Sequence, residues 1–109
     1  MSLISEFTMD GDEFVGVAFK YTDGIVNMEF DGYRWGLEKT KKKFAELLKE
    51  VKEGKNCYLE FEGWNGQSVI NVLNSKVTFS VAKHGGSGSG DMEFTLPLNK
   101  CIAAFENLS

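Results

Sequence analysis

The chain has 109 residues, 42% of them hydrophobic and 26% charged, with a net charge of −4 at neutral pH. That length and composition fit one globular domain, residues 1–109, with a core of its own. An aromatic content of 13%, with nine Phe, argues against disorder. No apolar run approaches the roughly 18 residues of a membrane helix, and the acidic sum disfavours a general nucleic-acid binder.

In chain order, residues 5–9 are compatible with a short leading strand. Residues 14–21 alternate, with Val15, Val17, Phe19 and Tyr21 on one face and Phe14, Gly16, Ala18 and Lys20 on the other. Thr22-Asp23-Gly24 is a turn signal, because Asp-Gly tolerates positive φ. In residues 25–30, Val26, Met28 and Phe30 point inward, completing a hairpin. A helix follows over 37–53, where Phe44, Leu47, Leu48 and Val51 make one apolar stripe and Gly54 is a natural stop.

Strands resume at Cys57, with Cys57, Leu59 and Phe61 inward and Tyr58, Glu60 and Glu62 outward. Asn65-Gly66 is a strong hairpin signal. Residues 68–73 are apolar on both faces (Val69, Ile70, Val72, Leu73) and read as a central or doubly covered strand. Asn74-Ser75-Lys76 turns the chain into a strand carrying Val77, Phe79 and Val81. After a glycine-serine loop, Met92, Phe94 and Leu96 alternate with Glu93 and Thr95. The last helix, 98–108, takes Leu98, Cys101, Ile102, Phe105 and Leu108 at helical spacing, with Pro97 suited to its first turn. The expected architecture is α+β: a mostly antiparallel sheet of six to seven strands with two helices packed on one face.

Charge is unevenly spread. Residues 1–30 hold six acids and one base, 31–56 hold five acids and eight bases, and 57–109 hold five acids and three bases. The basic segment contains Tyr33, Arg34, Trp35, Lys39, Lys41, Lys42 and Lys43. Cations mixed with stackable rings are what a single-stranded nucleic-acid surface needs, and Trp64 and Tyr58 would extend it if they share its face. The plainer reading is a solvated helix end with Trp35 capping the core from the side. Trp64, on a tight turn, is a candidate interface anchor.

The loop His84, Gly85, Gly86, Ser87, Gly88, Ser89, Gly90 and Asp91 is the other unusual stretch. Glycines free backbone N–H groups to face an anion. A phosphate loop, however, joins a strand to a helix, and this one joins two strands and lacks the Gly-Lys-Ser/Thr ending. A flexible connection is the simpler account. His84 is the chain's one histidine and has no nucleophile-and-orienter set around it in sequence. No catalytic residue, metal site or cofactor is expected.

Cys57 and Cys101 fall in apolar patterns and read as buried free thiols. The N-terminus, Met1-Ser2-Leu3-Ile4-Ser5-Glu6, has neither a basic start nor a signal-length apolar stretch. The expectation is therefore a cytoplasmic protein.

The closing pattern, strand 92–96 running straight into a short amphipathic helix, resembles the end of the single-stranded-DNA-binding transcriptional-coactivator fold. The likeness covers under a fifth of the chain. It implies nucleic acid as a second partner class.

The leading expectation is a non-enzymatic binding module acting through protein–protein contact, as regulator, inhibitor or adaptor, and self-associating as a small homo-oligomer. Strand 68–73 motivates it, because helices on one sheet face would leave the other side of that strand bare. The alternatives are single-stranded nucleic-acid binding through 33–43, and a small enzyme or anion binder using 84–91.

Overall fold

A computed structural model describes residues 3–21, 26–31, 35–62, 66–83 and 90–109. Seven strands and two helices follow one another as β1 (Ile4–Asp10), β2 (Glu13–Tyr21), β3 (Val26–Asp31), α1 (Gly36–Lys52), β4 (Cys57–Glu62), β5 (Gly66–Leu73), β6 (Lys76–Lys83), β7 (Gly90–Pro97) and α2 (Ile102–Leu108). The fold is α+β and every strand pair is antiparallel. The strands divide into two sheets, β1-β2-β3 and β4-β5-β6-β7. Each sheet is a meander followed by a helix.

The division is visible in the core. Phe19 of β2 lies 5.1 Å from Phe79 of β6, and Phe30 of β3 lies 5.3 Å from Phe61 of β4, measured between ring centroids. The inner faces of the two sheets therefore meet. Both helices bury their stripes in the same core, through Phe44, Leu47, Leu48 and Val51 of α1 and Ala104, Phe105 and Leu108 of α2. Phe19 touches every layer, with Phe30 at 5.3 Å, Phe44 at 6.3 Å and Phe105 at 6.3 Å. Edge-to-face and tilted rings of this kind add to simple area burial.

Local chemistry sets the boundaries. Helix α1 starts without a side-chain cap, and inside its first turn the buried Thr40 hydroxyl donates to the Gly36 carbonyl at 2.7 Å. The helix ends where the sequence places a stop. Gly54 adopts φ +76°, its N–H donates to Val51 O, and the Lys55 N–H donates to Glu50 O, each at 3.0 Å. That is a Schellman closure, and only glycine enters this conformation without strain. Between β5 and β6, Asn74 and Ser75 both take positive φ, the signature of a two-residue type I′ hairpin.

Four details qualify the sequence reading. Strand β2 slips by one residue against β1 between Thr8 and Met9, and Val15 is the extra residue. The bulge brings Phe14 to the core and its ring to 6.1 Å from Phe7, leaving Val15 half-buried. Strand β5 is central but covered on one face only. Ile70 and Val72 are buried, Val69 is half-buried and Leu73 is 51% exposed. Pro97 ends β7 instead of opening a helix; a 3-10 turn, Leu98–Lys100, intervenes before α2. Met92 points to the inner side but lies on the edge strand, where it stays exposed.

Helix α2 is fastened to β1. The Ser5 hydroxyl donates to Ala104 O at 2.6 Å, the Asn107 amide donates to Ser5 O at 2.9 Å, and the Leu3 N–H donates to Lys100 O at 3.2 Å.

Candidate functional site

The basic segment is divided by the helix that carries most of it. At 100° per residue, Lys41, Lys42 and Lys43 point in three directions. Lys41 and Lys43 flank the buried stripe and are half-buried, with Nζ 5.8 Å from the rings of Phe7 and Trp35 respectively. Lys39 and Lys42 face outward. Trp35 is half-buried, and its ring lies on Phe61 at 4.6 Å, tilted by 35°. An open groove of about 770 Å³ runs past Lys39, Lys41, Lys42 and Lys43, with Glu38 and Glu46 interleaved among them. Tyr33 and Arg34 lie outside the described residues, as does Trp64. Of the expected nucleic-acid set, the structure thus brings Lys39, Lys41, Lys42 and Lys43 to one groove, with Lys39 and Lys42 the more exposed, and turns the Trp35 ring to the core.

The glycine loop is also beyond reach: residues 84–89 lie outside the described residues, and Gly90 and Asp91 are described as β7 backbone only. Among the described residues, no group of three or more His, Cys, Asp or Glu side chains could hold a metal ion.

Both cysteines are free. Cys101 is buried, its Sγ is 3.7 Å from Pro97 O, and burial pushes its pKa up to about 12. Cys57 is half-buried, not buried as expected. Desolvation first, then the charge and hydrogen bond of Glu50, raise its pKa to about 11. Neither thiol is an activated nucleophile, since reactivity belongs to the thiolate.

The feature that stands out is the outer face of the four-stranded sheet. Register assigns its rows: Glu62–Gln67–Ala82–Asp91, then Glu60–Val69–Ser80–Glu93, then Tyr58–Asn71–Thr78–Thr95, then Leu73–Lys76–Pro97. Among the described residues neither helix covers it. Tyr58 is 66% exposed and Leu73 is 51% exposed, while Val69 is half-buried one row beyond Tyr58, with Asn71 between it and Leu73 along β5. The polar residues are largely paired within the face. Thr78 and Thr95 hydroxyls are 3.0 Å apart, and the Gln67 amide donates to Glu60. A depression of about 290 Å³ sits over the small residues Ser80 and Ala82, walled by Gln67, Val69 and Glu93. The outer face of the three-stranded sheet is different, with Glu6 and Lys20 in an ion pair at 2.9 Å beside buried Ala18. Tyr58 was legible as an outward position in the alternation, whereas Leu73 belonged to a strand apolar on both faces; their joining into one face with Val69 required the β4-β5-β6 register.

Comparison with known proteins gives a family. The chain belongs to DUF5766, a family of unknown function. The match spans residues 27–107, from β3 to the last turn of α2. No curated protein matches the chain. Among solved structures, it is similar to a crystal structure of a protein with unknown function from the DUF155 family of Prochlorococcus. That similarity has 13% sequence identity, covers 98% of each chain and has a TM-score of 0.41. Among the described residues, no helix is long and apolar enough to cross a membrane.

Proposed function

We propose that this DUF5766 member is a non-enzymatic binding module that works by protein–protein contact through the outer face of β4-β5-β6-β7. The observation that carries the reading is the exposed apolar set Tyr58, Val69 and Leu73 on a sheet whose other face packs into the core. Large side chains exposed together on a rigid sheet mark interaction sites. The raised thiol pKa values agree with a non-catalytic role for both cysteines, and two free thiols fit a reducing compartment such as the cytoplasm. The test is a photo-crosslinking residue placed at position 73 and, as a control, at position 4, an exposed site on the other sheet's edge strand. A discrete protein adduct from position 73 and none from position 4 is expected. No adduct from position 73 overturns the reading.

A second reading, binding of single-stranded nucleic acid, draws on the lysine-lined groove along α1. Glu38 and Glu46 in the same groove, and the Trp35 ring turned onto Phe61, weigh against it. Tryptophan fluorescence during titration with single-stranded oligonucleotides decides it. Quenching that fades steeply with salt supports nucleic acid, and no change at low salt removes it.

A further inference from the structure

Building on the protein-contact reading, we propose that the occupant of this sheet face is a second copy of the chain, related by a twofold axis that lies in the interface and runs across the strands. The argument comes from how charge and shape are laid out along the rows. Carboxylates of Glu60 and Glu93 lie in the row on one side of Tyr58–Asn71–Thr78–Thr95, and the Lys76 ammonium lies in the row on its other side. A closed pair must bring the same patch against itself. With the axis along the strands, each row would meet its own copy, and the Glu60/Glu93 row would face like charge. With the axis across the strands along the Tyr58–Asn71–Thr78–Thr95 row, the two rows flanking it exchange. Val69 then meets the second copy's Leu73, and Lys76 reaches the second copy's Ser80, one strand away from its Glu93. The middle row, Tyr58–Asn71–Thr78–Thr95, meets itself. Amide and hydroxyl groups suit that position, because each can both donate and accept.

Area sets the strength. Four strands about 4.8 Å apart and eight residues at about 3.4 Å give a face of roughly 520 Å² per copy, about 1,000 Å² in the pair and so at the lower limit for a specific interface. Specific stable interfaces begin near 1,000–1,200 Å², so the pair is reversible, with dissociation in the range of tens of micromolar. Two sheets packed this way sit about 10 Å apart with strands within about 30°.

The experiment is sedimentation equilibrium of the full chain from about 10 µM to about 1 mM, with circular dichroism of every variant to confirm the fold. A monomer–dimer equilibrium is expected. Leu73→Lys should weaken it at least about tenfold, since it buries an ammonium against Val69. Lys76→Glu and Glu93→Lys should each weaken it about three- to tenfold, and the double charge swap should bring it back to within about threefold of the natural chain. A monomer at every concentration overturns self-pairing; protein-contact then stands or falls on the position-73 adduct. A dimer unaffected by Leu73→Lys places the interface elsewhere and overturns the proposal. Failure of the double swap to recover affinity overturns the axis.

Discussion

The two meander-and-helix halves face the same problem, a twisted sheet with one side in the core, and finish their outer sides differently. In β1-β2-β3 the outer side carries charge, with Ile4 exposed at its edge strand. The Glu6–Lys20 pair lies beside Ala18, which is buried in the central strand. In β4-β5-β6-β7 the outer side keeps Tyr58, Val69 and Leu73 open to solvent. The pairing is also built differently. The first sheet absorbs a one-residue slip at Val15, while the second keeps unbroken register through a two-residue type I′ hairpin. Surface charge discourages association, and a flat, regular face with apolar side chains permits it. The contrast teaches that only one of two similar halves is finished as a surface for contact.

The strongest test of this contrast is at the point where the halves join. Phe19→Ala should destabilise the fold by about 3–5 kcal/mol, because its ring contacts both sheets and both helices. Denaturant unfolding followed separately by circular dichroism and by tryptophan fluorescence should remain one coincident transition. Two separated transitions would show that the halves are independent units and would break the comparison.

The fastening of α2 to β1 is the next largest. Ser5→Ala removes a buried hydroxyl that donates to Ala104 O and receives the Asn107 amide, and should cost about 1–3 kcal/mol in urea unfolding. An unchanged midpoint would mean that apolar contact alone holds α2.

Alkaline pH addresses the second half and α2. The folded pKa values of Cys57 and Cys101 are raised, to about 11 and about 12, above the ordinary thiol value. The native state therefore holds its thiol protons where the unfolded chain has released them. Stability should be intact below about pH 8.5 and decline as pH rises toward 11–12. In Cys101→Ala that decline should be shallower, as read from thermal midpoints between pH 8 and pH 11.

The smallest effects are on the outer faces themselves. Lys20→Ala should cost at most about 1 kcal/mol, less at high salt, as befits an exposed ion pair. Leu73→Lys should shift thermal stability by no more than about 0.5 kcal/mol while acting on association. A large loss of stability in Leu73→Lys would reveal a structural role for that side chain and erase the distinction between the faces.

Much of this was legible in the chain because it is local. The stripe Phe44, Leu47, Leu48, Val51, the stop at Gly54, and the alternations of β3, β4 and β6 follow from period and turn chemistry within a few residues. The split into two sheets was not, since nothing local says that β3 hydrogen-bonds to β2 and packs against β4 without a ladder. Nor was the slip at Val15, because Phe14 and Val15 are both apolar and only the β1 register selects between them. For the candidate site, outward Tyr58 was readable. Trp35 illustrates the limit: beside five bases it suits a stacking platform and a core cap equally well, and only the distant Phe61 beneath its ring distinguishes them.

The bond from Ser5 to Ala104 spans 99 positions of chain. During synthesis at about 5–20 residues per second, β1 leaves the ribosome roughly 5–20 s before its partner helix exists. Over that interval Phe19 has no Phe105 to meet, and the edge of β1 that the Asn107 amide later occupies stands open. The nascent chain thus carries a transient sticky edge and an unfilled centre, and a holdase chaperone would have its longest opportunity on the first third of this protein.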